Sequence, residues 1–208
     1  MDLLIPEYEI VGKVGSGCSA VWTSSPAGVD RSATLGYGPQ DVFYLPKGGD
    51  VTGCVLNMCR PVASSLTQLR QIDHAAVEAG CGIVSVGLRL IPKGYSAGQG
   101  IPVEELAEVT KALPSLSAVT VRGCFVCGDL SGLHGKALGR FFRACYESAK
   151  LMTVTLPCAM PYLCVEGGLE ALSCNQCEHP ETLCDAITAA QIVAMQNQTA
   201  FYARLLIS

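Results

Sequence analysis

The densest group of reactive side chains in this sequence is Cys174, Cys177, His179 and Cys184. The spacing CxxCxH, with a further cysteine five residues on, puts three thiolates and an imidazole within reach of one another. That donor set suits tetrahedral zinc or an iron–sulfur cluster. The spacing matches no standard zinc finger, so free or partly buried thiols are the alternative reading. Cys124 and Cys127 make a second CxxC on an apolar run ending at Gly128-Asp129, and neither pair precedes a helix as a redox motif would. Glu166-Gly167-Gly168 also follows an apolar run. Glycines at a strand end expose backbone N–H groups, and a following helix adds its positive end, so Gly167 and Gly168 are candidates for a phosphate cradle; the alternative is an ordinary strand-to-helix turn. Gly98 and Gly100 can contribute in the same way. Arg89 and Arg122 each sit in a buried-strand pattern and need a partner, either an anionic ligand or a carboxylate. His134 follows the run ending at Asp129, where it can act as an acid or base or simply begin a helix.

These residues need a frame, and the stretch 86–129 supplies its centre. Residues 86–91 are β-rich and apolar, residues 94–100 form a loop with three glycines, and a helix begins at Pro102 with Glu104 and Glu105 near its positive end. Pro114 ends that helix and residues 118–126 make a second buried strand. Strand, helix, strand in this order is a βαβ unit, which implies a parallel sheet with a right-handed crossover. Further strands are expected at residues 9–14, 19–23, 41–45, 51–58, 152–156, 162–165 and 201–207, and helices at 26–35, 64–79, 133–150 and 185–197. Alternation along nearly the whole length argues for an α/β fold with a mainly parallel sheet, as one domain over residues 1–208. A closed eightfold barrel usually takes about 250 residues, so the expectation is a TIM-barrel-like domain that is incomplete or compact, with an open sheet as the alternative.

Composition narrows the function. Half of the 208 residues are hydrophobic and 15% are charged, which excludes disorder. A net charge of −4 without a basic run gives nucleic acid no electrostatic footprint. No apolar run reaches the length that spans a membrane, and the N-terminal residues lack the basic start of a signal peptide, so a cytoplasmic protein is expected. Twelve cysteines without an export signal read as reduced thiols, several of them, such as Cys54, Cys124 and Cys164, set in apolar strand patterns.

Four stretches in order resemble the barrel domain of fold-type III pyridoxal-phosphate proteins, the group of alanine racemase, the ornithine- and diaminopimelate-decarboxylase-like enzymes and the small pyridoxal-phosphate homeostasis proteins. They are GSGCSAVWTSSPAGVDRSATLGYGPQDVFYLP, then SLTQLRQIDHAAVEAGCGIVSVGLRLIPKGYSAGQGI, then IPVEELAEVTKALPSLSAVTVRGCFVCGD, and MPYLCVEGGLEAL, which is similar to the family's LPYLxxGGG. The resemblance implies a barrel binding pyridoxal phosphate or another phosphorylated small molecule, and racemisation or decarboxylation of an amino acid. It makes Lys13 the candidate Schiff-base lysine, Gly167 and Gly168 the phosphate grip, and Arg89, Arg122 and His134 supporting polar groups. Lys13 stands in EIVGKVGSG, which differs from the family's lysine–alanine–asparagine run, and the family's C-terminal β domain has no counterpart here. A non-catalytic relative acting as a homo-oligomeric binding or interaction protein is therefore a second reading. A domain holding zinc or iron–sulfur at Cys174, Cys177, His179 and Cys184 is a third.

Overall fold

Parallel strands curl into a ring around an apolar interior. The computed structural model describes residues 2–6, 18–46, 51–156, 158–201 and 204–208. Within them the strands are β1 (Asp2–Pro6), β2 (Cys18–Thr23), β3 (Val42–Tyr44), β4 (Arg60–Ala63), β5 (Val84–Ile91), β6 (Ile101–Pro102), β7 (Val119–Val126), β8 (Tyr162–Val165) and β9 (Arg204–Ile207). The helices are α1 (Pro26–Thr34), α2 (Thr52–Leu56), α3 (Leu66–Glu78), α4 (Leu106–Ala112), α5 (Gly135–Thr155), α6 (Gly168–Glu178) and α7 (Leu183–Phe201).

Every strand pairing is parallel. β1 to β4 follow one another, β5 pairs with β7, β7 with β8, β8 with β9, and β9 returns to β1. The pairing of Val62 with Gly87 and of Ala63 with Leu88 joins β4 to β5 and closes the ring. The two-residue β6 pairs with the end of β5. The result is the compact form of a TIM-like barrel. Its strand ring closes, while its helical layer is abbreviated, with α2 only five residues long.

Local signals explain most elements. Ser25 and Ser65 cap α1 and α3, their hydroxyls accepting from the backbone N–H groups of Gly28 and Gln68, both at 3.1 Å. The Gln68 side chain reaches back to accept from the Ser64 N–H at 2.7 Å. The buried face of α5 runs through Leu138, Phe141, Phe142, Cys145, Ala149 and Met152 at helical spacing. That periodicity carries the helix over residues 152–155, where a strand was expected. The other expected strand, 51–58, is instead α2 followed by a turn. The Asn57 side-chain amide donates to the Gly53 carbonyl at 2.8 Å and Met58 takes a positive φ of 55°, so the apolar run breaks and the true strand, β4, starts at Arg60. The expected strand at 9–14 lies outside the described residues.

The interior of the ring is a small cluster of Ala20, Phe43, Val62, Phe125, Tyr162, Cys164 and Leu206, with Trp22 and Leu45 packed against it. Tyr162 is its stopper. A Cβ on Gly123 would fall 2.1 Å from the tyrosine ring, and one on Gly87 would fall 2.8 Å from its hydroxyl. Gly123 has φ +106° and sits where the register of β7 against β5 slips by one residue, between the Val86–Val121 and Leu88–Cys124 pairs. This bulge faces Phe125 inward and leaves Cys124 and Val126 packed with the helices.

Candidate functional site

The C-terminal ends of parallel strands form the mouth of a barrel, where loops can bring side chains from distant parts of the chain together. Here the ends of β5, β7 and β8 and the loop after β5 enclose an open cleft of about 540 Å³. Its described lining is Arg89, Ser96, Ala97, Gly98, Cys127, Gly128, Asp129, Glu166 and Gly167.

The centre of the cleft is an ion pair. Arg89 Nε donates to both oxygens of Glu166 at 2.9 Å, and Nη2 donates to Oε2 at 2.5 Å. The two side chains are 21% and 15% exposed, so the pair is largely shielded but still borders the cleft. Burial alone would lower the Arg89 pKa; the charge and hydrogen bonds of Glu166 outweigh it and raise it. Backbone bonds fix the strand end that carries Glu166. The Glu166 N–H donates to Val126 O at 2.9 Å, and Ser208 N–H donates to Val165 O at 3.1 Å. Cys127 lies behind the pair, its thiol donating to Gln99 O at 3.2 Å, and burial with the nearby Glu166 charge pushes its pKa up to about 12 against the opposing pull of Arg89. Asp129 is exposed; its carboxylate accepts from the Ser131 hydroxyl at 2.5 Å and from its N–H at 3.0 Å, which holds its pKa below the usual value. Its own N–H donates to Ser96 O at 2.6 Å, tying the two loops of the cleft together.

Gly167 turns the chain with φ +70° into α6, and Gly168 packs so closely that a Cβ would lie 2.9 Å from Ile207. Gly98 lines the cleft, whereas Gly100, at φ +146°, packs behind it against Ile91 and Cys127. Arg122 is exposed in the first half of β7 and is not among the described lining residues. His134 sits in a neighbouring pocket of about 340 Å³ beside α6, where its ring stacks on His179 with centroids 4.1 Å apart and 21° between planes. Lys13 lies outside the described residues.

The cysteine cluster does not assemble as a metal centre. Cys174, Cys177 and Cys184 are exposed on α6 and α7, and among the described residues no three His, Cys, Asp or Glu side chains are grouped to hold an ion. Cys174 and Cys177 lie on α6 and Cys184 on α7, and His179, between the two helices, is engaged with His134. Sequence reasoning singled out Arg89 but not its partner. The available signal was a lone acidic residue directly after the apolar β8 run, the place where a parallel strand delivers its next side chain to the mouth.

A closed parallel α/β ring with a polar cleft at its C-terminal mouth defines the class as a TIM-like barrel. Solved structures with a similar barrel include amino-acid decarboxylases and a dehydratase. Lysine decarboxylase from Selenomonas ruminantium has a TM-score of 0.66 at 13% identity, over 99% of this chain and 55% of that chain. Paramecium bursaria Chlorella virus arginine decarboxylase has a TM-score of 0.65 at 12% identity, over 91% and 50% respectively. D-threo-3-hydroxyaspartate dehydratase from Delftia sp. HT23 has a TM-score of 0.59 at 14% identity, over 79% and 47%. The likeness is one of fold, and the chain spans about half the length of these neighbours. No family model and no curated protein sequence matches it.

Pyridoxal phosphate, which the sequence resemblance implies, meets this mouth unevenly. The glycine turn at Gly167 suits a phosphate, but the charges do not. Among the described lining residues Arg89 is spent on Glu166, the other charged group is the Asp129 carboxylate and there is no lysine, while the Leu169 N–H donates to Ser208 O at 3.0 Å. With Glu166 on Arg89, the described lining residues offer a phosphate the Gly167 turn but no cationic side chain that is not already paired.

Proposed function

We propose that this barrel binds a compact zwitterion of the amino-acid class in the cleft at its mouth, as a small-molecule-binding relative of the decarboxylase barrels. The observation that carries the reading is the bidentate Arg89–Glu166 pair bordering an open cleft. A zwitterion can insert into such a pair. Its carboxylate takes the guanidinium fork and its ammonium takes the Glu166 carboxylate, with Asp129 adding further negative potential. Each shielded charge keeps a partner, so insertion avoids the penalty of orphaning one. A phosphate ester would claim Arg89 and leave Glu166 unpaired. The cleft volume suits a ligand of this size.

Calorimetric titration with free amino acids and with the amines that lack their carboxylate tests the reading. Saturable binding of one or more amino acids, weakened at least tenfold when the carboxylate is removed and lost in Arg89→Met, is the expected result. A folded protein that takes up none of them overturns it.

A second reading, a pyridoxal-phosphate protein acting on an amino acid, is favoured by the Gly167 turn and by the barrel shared with the decarboxylases. In that reading Gly167 and Gly168 would hold the phosphate, Lys13 would be the lysine that holds the cofactor, and the cofactor would supply an electron sink. A visible absorbance band that appears with pyridoxal phosphate, is reduced by borohydride and maps to Lys13 would favour it over the first. The described cysteines are free, so both readings suit a reducing compartment such as the cytoplasm.

A further inference from the structure

Among the described residues lining this mouth, the one cation already holds an anion, and that anion belongs to the protein. We propose that Glu166 sets the charge class of ligand the cleft accepts: its carboxylate is a built-in counter-ion that keeps phosphate off Arg89, and removing it converts the cleft into an anion site. The inference deepens the reading of the mouth as the binding cleft, on which it rests.

Three observations carry it. The first is geometry. Both Glu166 oxygens accept from the guanidinium, occupying the fork that a phosphate or carboxylate ligand would use. The second is anchorage. The Glu166 N–H is bonded to Val126 O, and the next residue is Gly167 at φ +70°, so the carboxylate hangs from a fixed strand end. The third is charge balance. Of the three charged side chains lining the cleft among the described residues, Glu166 and Asp129 are negative and Arg89 alone is positive, so a phosphate dianion meets a net repulsive wall. Without Glu166 the guanidinium keeps its place on β5, its donors face the cleft, and one carboxylate of the two is gone.

The test is titration of inorganic phosphate, followed by ³¹P resonance and calorimetry, on the wild type, Glu166→Gly, Glu166→Gln and Arg89→Met/Glu166→Gly. Circular dichroism and thermal melts establish that each variant is folded. Phosphate affinity is expected to rise at least tenfold in Glu166→Gly and less in Glu166→Gln, whose amide oxygen still accepts one arginine donor. The double variant is expected to lose the gain. Equal phosphate affinity in the wild type and both single variants overturns the proposal, as does a gain that survives without Arg89. Should Glu166→Gly fail to fold, the isosteric Glu166→Gln carries the comparison. Amino-acid titration of the same proteins separates the two claims. A wild type that binds amino acid, with variants that gain no phosphate, sinks the role of Glu166 and spares the zwitterion reading. A variant that gains phosphate, beside a wild type indifferent to amino acids, does the reverse.

Discussion

Arg89 and Glu166 stand 77 residues apart in sequence and are meaningful only together. Removing one partner strands the other in a shielded place. Arg89→Met is expected to cost about 2–3 kcal/mol, below the 3–5 kcal/mol of a fully buried pair because both groups retain some water. Arg89→Met/Glu166→Leu should recover most of the loss, and urea melts of the three variants measure the coupling. The need of Arg89 for a partner was legible in its buried-strand setting; which carboxylate answers it was not, because that depends on closing β5, β7 and β8 side by side. Thiols give a second residue-scale prediction. Burial holds Cys59 up to about 11, and burial with Glu166 holds Cys127 up to about 12, against an ordinary value of 9.0. Above pH 9 these cysteines ionise in the unfolded chain but stay protonated in the folded one. Their stabilising share is therefore complete below pH 9 and declines toward pH 12. The urea midpoint of the reduced protein is expected to fall as pH rises through this window, and less steeply in Cys59→Ala.

Among the elements, the neighbouring strands β5 and β7 are tuned to one bulky side chain from β8. The Tyr162 hydroxyl is buried without a hydrogen-bond partner and lies against the space above Gly87. Tyr162→Phe removes a polar group that nothing satisfies, so its stability is expected to equal or exceed the wild type by about 1 kcal/mol. Gly87→Ala places a methyl group 2.8 Å from that oxygen and is expected to cost about 1–3 kcal/mol. In a Tyr162→Phe background the cost should shrink, and chemical denaturation of the four proteins closes the cycle. A similar cost in both backgrounds would remove the hydroxyl as its source. The βαβ unit around α4 and the long amphipathic helices α3 and α5 were readable from periodicity, because their buried faces repeat cleanly. Short elements were not. A run such as VTGCVLNM is apolar enough for a strand; the Asn57 side-chain bond, the positive φ of Met58 and the backbone bonds from Asn57, Met58 and Cys59 N–H make it a helical turn. The bulge at Gly123 was equally hidden, since a single extra residue leaves no mark on composition.

For the whole molecule, alternating strands and helices announced a parallel α/β barrel, yet closure could not be read from a chain shorter than is usual for one. It depends on two strand pairs, β4 with β5 and β9 with β1. Closure also shifts the grounds for self-association. The ring spends the strand edges that an open sheet would offer to a partner. Among the exposed apolar side chains, Leu56 and Met58 around the end of α2, Val77 late in α3 and Ile83 just before β5 lie on elements that pack together. Burying these side chains between copies is the expected route to a homo-oligomer. Light scattering should then report a dimer or larger species that Met58→Glu/Ile83→Glu returns to monomer. A wild-type monomer at high concentration would discard the route. Among the described residues, no helix is long and apolar enough to cross a membrane.

Trp22 is the one tryptophan in the chain, and it leans on the aromatic cluster that fills the ring. The barrel thus carries its own optical reporter. Indole emission follows the interior, while far-ultraviolet dichroism is dominated by the helices outside. If both signals trace one transition in denaturant, ring and helical layer melt as a unit; if they part, the abbreviated outer layer lets go first.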